Sequence, residues 1–175
     1  MTKTSTESTK DSFSLSGNVL LRVTDKAGSV LAEEQTHNTT CVGAAYALAA
    51  AYAGDSSFMP SGVAFVTDPS VVSSAELTWN DVKDYSSVVG FSYRPTLDGN
   101  RVIFHAKTAD IPDNATIYKA CLIGRSTTGG EYAVLAVVDL GEKTKPADFD
   151  LSIDWTVTFG YGSSSSKIDD ELLNS

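Results

Sequence analysis

The chain has 175 residues, with 13 Lys and Arg against 22 Asp and Glu, for a formal charge of -9. That balance excludes electrostatic capture of nucleic acid or of an anionic membrane surface, since both require clustered cations. A hydrophobic content of 42% with only two cysteines likewise excludes a disordered chain and a disulfide-stapled scaffold.

Residues 1–12 are rich in Thr, Ser, Lys and Glu with no apolar side chain after Met1. The composition is that of a flexible arm, and it lacks the apolar core of a signal peptide. From Phe13 to Thr24 the pattern alternates, with Leu15, Val19, Leu21 and Val23 on one parity, and Asp25-Lys26-Ala27-Gly28 turns the chain into a partner strand over Ser29 to Gln35. Thr36 to Thr40 is a polar break whose Asn and Thr side chains have helix-capping chemistry. Val42 to Ala53, with seven alanines plus Tyr46, Leu48 and Tyr52, reads as a helix that ends at Gly54-Asp55. At this length it is too short to span a bilayer.

Gly62 to Thr67 reads as a short strand, and Glu76 to Tyr85 as a loop around Asn80-Asp81. Val88 to Arg94 and Arg101 to Lys107 are expected to pair through a turn at Leu97-Asp98-Gly99-Asn100. Ala115 to Gly124 and Glu131 to Leu140 form the next hairpin, joined by a Ser/Thr/Gly turn. Phe149 to Tyr161 closes the pattern with Leu151, Ile153, Trp155, Val157 and Phe159 on one parity. About eight strands with regular turn signals and one early helix predict a mainly β antiparallel sandwich, with the helix over an edge or open end. The sandwich domain covers 13–162, and 163–175 forms a flexible or docking tail. Within the tail, Ile168, Leu172 and Leu173 fall on one side of a short amphipathic turn, which makes them candidate partner-docking residues.

No catalytic, cofactor-binding or metal-ligating residues emerge. His37 and His105 have no Cys or His at metal-ligand spacing, and there is no nucleophile elbow, Walker loop or dinucleotide fingerprint. The Gly124 to Gly130 segment is glycine-rich but joins two strands, whereas a phosphate cradle leads into a helix. Asp148, Asp150 and Asp154 share the solvated parity of the last strand, and Asp110, Asp113 and Asn114 form an oxygen-rich loop without a calcium-binding pattern. Cys41 and Cys121 sit among apolar residues, where two buried free thiols are the ordinary reading and a single bridge between them is the alternative. Trp79, Tyr85 and Tyr93 are the aromatics placed where a ligand such as a sugar would stack, with packing as their ordinary role.

In chain order come an N-terminal hairpin over Phe13 to Gln35, His37-Asn38, the Ala-rich helix from Val42 and the compact strand from Gly62. This order resembles that of a group of tailed-bacteriophage virion proteins. Thr116-Ile117 through Leu122-Ile123 and Gly129-Gly130 through Leu135-Ala136 are similar to that group's "TI-x-x-x-GL … GG-x-LLAR" pattern, and Leu151 to Phe159 is similar to its closing strand. Cys121 stands where that pattern has a small residue, and Val63 to Pro69 lacks its usual turn after the helix. The resemblance implies a non-enzymatic structural protein without cofactors, made in the host cytoplasm and resident in the virion. Its partners would be copies of itself and other virion structural proteins. It implies a place at the tail, baseplate or fibre attachment. A capsid decoration role and a receptor- or carbohydrate-binding module are the alternatives.

Overall fold

A computed structural model describes residues 11–108 and 111–163. The elements in chain order are β1 (Asp11–Asp25), β2 (Val30–His37), β3 (Thr39–Thr40), α1 (Val42–Tyr52), β4 (Pro60–Val66), α2 (Trp79–Val82), β5 (Ser86–Gly90), β6 (Thr96–Asp98), β7 (Arg101–Lys107), β8 (Thr116–Arg125), β9 (Tyr132–Thr144) and β10 (Phe149–Ser163). They form two five-stranded antiparallel sheets, ordered β2-β1-β10-β7-β6 and β3-β9-β8-β4-β5. The mainly β, sandwich-like architecture matches the sequence reading, and the ten strands include two very short ones, β3 and β6.

The sheets meet across one apolar core. The first contributes Val19, Leu21, Phe104, Ala106, Leu151, Ile153 and Trp155, all on the inward parity of their strands; the second contributes Val63, Phe65, Ala120, Leu122, Leu135 and Val138. Strands β1, β10 and β7 alternate because only one face of their sheet is buried. The second sheet is buried on both faces. On its outer side Ala64, Val66, Cys121, Ile123, Val134 and Val137 pack with Cys41, Val71, Leu77 and Val82. Strands β8 and β9 therefore read as near-continuous apolar runs.

The cover for that outer face comes from the segment expected as a loop. Glu76 to Tyr85 contains α2 and a 3-10 turn over Lys83–Tyr85. Helix α2 opens on a capping box in which the Thr78 backbone N–H and hydroxyl both donate to the Asp81 carboxylate, at 2.8 and 2.7 Å. Each residue there satisfies a free backbone group of the other's turn.

Three further expectations are corrected. Val88 does not pair with the Arg101 strand: β5 pairs with β4, as Val89 with Val63, and β7 takes the short β6 and β10 as neighbours. Val89 belongs to the core on the second sheet, and the chain changes sheets between Gly90 and Thr96, where the Ser92 N–H bonds the His105 carbonyl at 2.8 Å. Helix α1 has Cys41 as its N-cap with no side-chain cap bond, so Asn38 and the threonines do not cap it. Finally, β1 starts at Asp11, paired with Ser163, so the strand takes in the last two residues assigned to the N-terminal arm.

Asn38 acts instead at the crossing between sheets. Its N–H bonds the Gly17 carbonyl at 3.2 Å, and its Oδ1 accepts the Trp155 indole N–H at 3.2 Å. A Cβ on Gly17 would fall 1.8 Å from that oxygen, so the close approach requires glycine.

Candidate functional site

The outer face of the first sheet carries an ion-pair network. Asp154 faces His105 in register across β10 and β7. Its carboxylate contacts both His105 Nδ1 and the Arg22 guanidinium, and Arg22 Nε donates to Glu33 at 2.8 Å. The Tyr93 ring stacks on His105 with centroids 4.6 Å apart and planes 12° apart. Burial pushes the Asp154 carboxyl upward, but the hydrogen bonds from His105 and Arg22 outweigh it and hold the group below its ordinary value. Lys26 and Asp150 pair at 3.0 Å on the same face. The solvated face expected for Asp150 and Asp154 is thus a laced one. The neighbours of the His105–Asp154 pair are the Arg22 guanidinium and the Tyr93 ring. Among the described residues, no three His, Cys, Asp or Glu side chains are grouped to hold a metal ion. Asp113, the described carboxylate of the oxygen-rich loop, is engaged by the buried Lys145 ammonium.

The three candidate stacking aromatics do not converge. Trp79 packs on Tyr132 at 4.8 Å, and the Arg125 guanidinium lies 6.0 Å from the Tyr132 ring centre. That pair borders a concavity of about 460 Å³ with Thr78, Lys83 and Glu131. Tyr85 lies on another depression with Asp68 and Asp81, and Tyr93 covers His105 on the other sheet. The docking candidates Ile168, Leu172 and Leu173 lie outside the described residues.

The open end of the sandwich is apolar. Helix α1 has no charged side chain, yet Ala47 is its one buried residue; Val42 is 50%, Tyr46 61% and Tyr52 89% exposed. Ala44 and Ala47 turn inward, and Gly43 allows the helix to approach β9, since a Cβ there would lie 2.2 Å from the Val134 carbonyl oxygen. Between α1 and the sheets lies a cavity of about 310 Å³ walled by Leu15, Leu48, Met59, Phe104, Leu135 and Phe159, with Asn38 among its few polar groups. Tyr46 and Phe58 pack edge-on at 5.7 Å nearby.

Beside the cavity, β1 and β10 outrun their neighbours. β2 pairs with β1 from Asn18 onward, and β7 pairs with β10 as far as Thr158, so Asp11–Leu15 and Phe159–Ser163 form a two-stranded ribbon. Asn100 ties its base, bonding the Phe159 N–H and carbonyl at 2.9 and 2.7 Å. Phe13 and Phe159 pack at 6.0 Å on its apolar face, and Phe13 is 56% exposed.

The sequence predicts α1 but not the exposure of its outer face. The absence of any charge in Val42–Tyr52 is the signal that was there to read. The two cysteines are free and buried as expected; burial pushes their thiols up to about 11 at Cys41 and about 12 at Cys121. Among the described residues no helix is long and apolar enough to cross a membrane. The class defined here is a two-sheet antiparallel β-sandwich with an uncharged helix at its open end. Comparison with known proteins finds no matching family model, curated protein or solved structure.

Proposed function

We propose that this chain is a non-enzymatic structural subunit of a tailed-bacteriophage virion, packed as a repeated copy at the tail, baseplate or fibre attachment. The observation that carries the structural part is α1. A helix apolar on all sides belongs in an interior, and this one leaves Val42, Tyr46 and Tyr52 in solvent. A subunit packed over that face supplies the missing interior. The virion assignment rests on the sequence resemblance, and the acidic charge of -9 suits a surface away from packaged DNA. Capsid decoration is the nearest variant of the same reading. The test is sedimentation of the full chain, together with mass spectrometry of purified particles. Self-association and presence in particles at many copies are expected; a monomer at every concentration that is absent from particles would refute the reading.

A binding-module reading is favoured by one arrangement only. Trp79, Tyr132 and Arg125 line up beside a polar-edged concavity, the layout of a sugar-stacking platform. Saturable binding on a glycan array, lost in Trp79→Ala, would establish it, and an empty array would remove it.

A further inference from the structure

The cavity at the open end lacks a lid, and the described residues contain nothing that fills it. We infer that it receives residues 164–175 of a second copy of this chain, with Ile168, Leu172 and Leu173 as the inserted side chains. The inference rests on the structural-subunit reading and names the contact by which such subunits would link.

Three observations converge on that occupant. The cavity is about 310 Å³ and almost wholly apolar, a space for several aliphatic side chains. Outside the described residues, the chain's only apolar side chains are Met1, Ala109 and the triplet Ile168, Leu172 and Leu173. The triplet begins five residues after the end of β10, whose Val157 and Phe159 form part of the cavity wall.

The direction of β10 selects a second copy over the same chain. From Phe159 the strand runs four further residues to Ser163, along a ribbon that leaves the sandwich. At about 3.3 Å per residue, Ser163 lies roughly 13 Å beyond Phe159 along the ribbon, so reaching its own cavity would require the chain to reverse direction, whereas reaching a neighbour's would not. At the ribbon tip neither β2 nor β7 continues alongside, leaving the outer edges of Asp11–Ser14 and Gly160–Ser163 for a partner's backbone. The uncovered face of α1 borders the same cavity through Ala44 and Leu48. One neighbouring copy therefore covers the helix, fills the cavity and pairs the ribbon together.

The test is disulfide trapping in the full chain. Met59→Cys sits on the cavity rim, half exposed, and Leu172→Cys lies in the segment; Cys41 and Cys121 remain buried. The two single variants, each first shown to carry one titratable thiol in the folded state, are mixed and oxidised. A covalent dimer of unlike chains is expected, and it should be lost when Ile168→Asp and Leu173→Asp are added to the Leu172→Cys chain. In the double Met59→Cys/Leu172→Cys variant, dimers and longer ladders are expected. A ladder-free double variant cross-linked within a single chain would overturn the inference, as would free thiols in every mixture. Loss of the cross-link while the chain is still found in particles overturns this docking alone. Absence from particles overturns the structural reading, whatever the cross-link shows.

Discussion

The indole N–H of Trp155 donates to Asn38 Oδ1 at 3.2 Å, joining the middle of β10 to the point where the chain leaves the first sheet for the second. Trp155 is fully buried, so no water replaces that acceptor from the core side. Asn38→Ala leaves a buried donor unpaired and is expected to cost about 1–3 kcal/mol. Gly17→Ala drives a methyl into the same oxygen. Because both changes strike one contact, Gly17→Ala should cost less in the Asn38→Ala background than alone. Urea unfolding followed by tryptophan fluorescence measures all corners of the cycle; strictly additive effects would contradict a shared contact.

Asp154 makes stability dependent on pH at the acid end. Its folded-state carboxyl is held below the ordinary value, so its contribution is complete above the unfolded value of about 3.9 and is lost as pH falls through the lower, folded one. Asp154→Asn should lower stability by about 1–3 kcal/mol at neutral pH, since Arg22 and His105 lose a charged partner. It should also flatten the stability profile below pH about 4. Parallel acid profiles for the variant and the native chain would refute this assignment.

The thiols should be inert until the chain unfolds. Burial raises Cys41 to about 11 and Cys121 to about 12, so thiolate is scarce at neutral pH and reagents have no approach. Titration with a disulfide reagent is expected to find no reactive group in the native chain and both in denaturant. Rapid labelling of folded protein would show that one site opens.

Filling the cavity should stabilise the monomer while harming association. Ala44 lines the cavity and packs on the core, and Ala44→Leu directs added volume into it. A gain of about 0.5–2 kcal/mol is expected, with weaker binding of an apolar dye. Unchanged dye binding would place the exposed apolar surface elsewhere.

The first sheet was legible because water touches one of its faces. Leu151, Ile153 and Trp155 point inward while Asp150 and Asp154 point outward, and the period of two survives in the sequence. Strands β8 and β9 were legible as strands but not as a doubly covered layer, since a run such as Ala120 to Ile123 gives no sign of what lies on either side. The Thr78–Asp81 capping box was present in the sequence and was outweighed by the turn character of Asn80-Asp81. The sheet to which β5 belongs was not legible, because Val88 and Val89 fit either partner and only the change of direction before Thr96 decides. Likewise, Asp154 was readable as outward-facing, but its pairing with His105 depends on a register between strands about fifty residues apart. The open end was least legible of all: an alanine helix reads as buried, and its exposure emerges only from the positions of its neighbours.

The uncovered helix can be separated from the fold by one substitution. Ala49 is exposed in the middle of α1, and glutamate is a good helix former, so Ala49→Glu should leave monomer stability within about 0.5 kcal/mol of native. It should nevertheless abolish self-association, because it places a charge in the centre of an apolar interface. Native-like sedimentation of the variant would move the interface away from α1.

The most direct measurement for the central claim is the position of this chain in a cryo-EM map of purified particles. The expected result is a symmetric array of β-sandwiches in which the outer face of α1 is buried against a neighbouring subunit. Particles lacking the chain, or holding it with α1 facing solvent at every copy, would contradict the account.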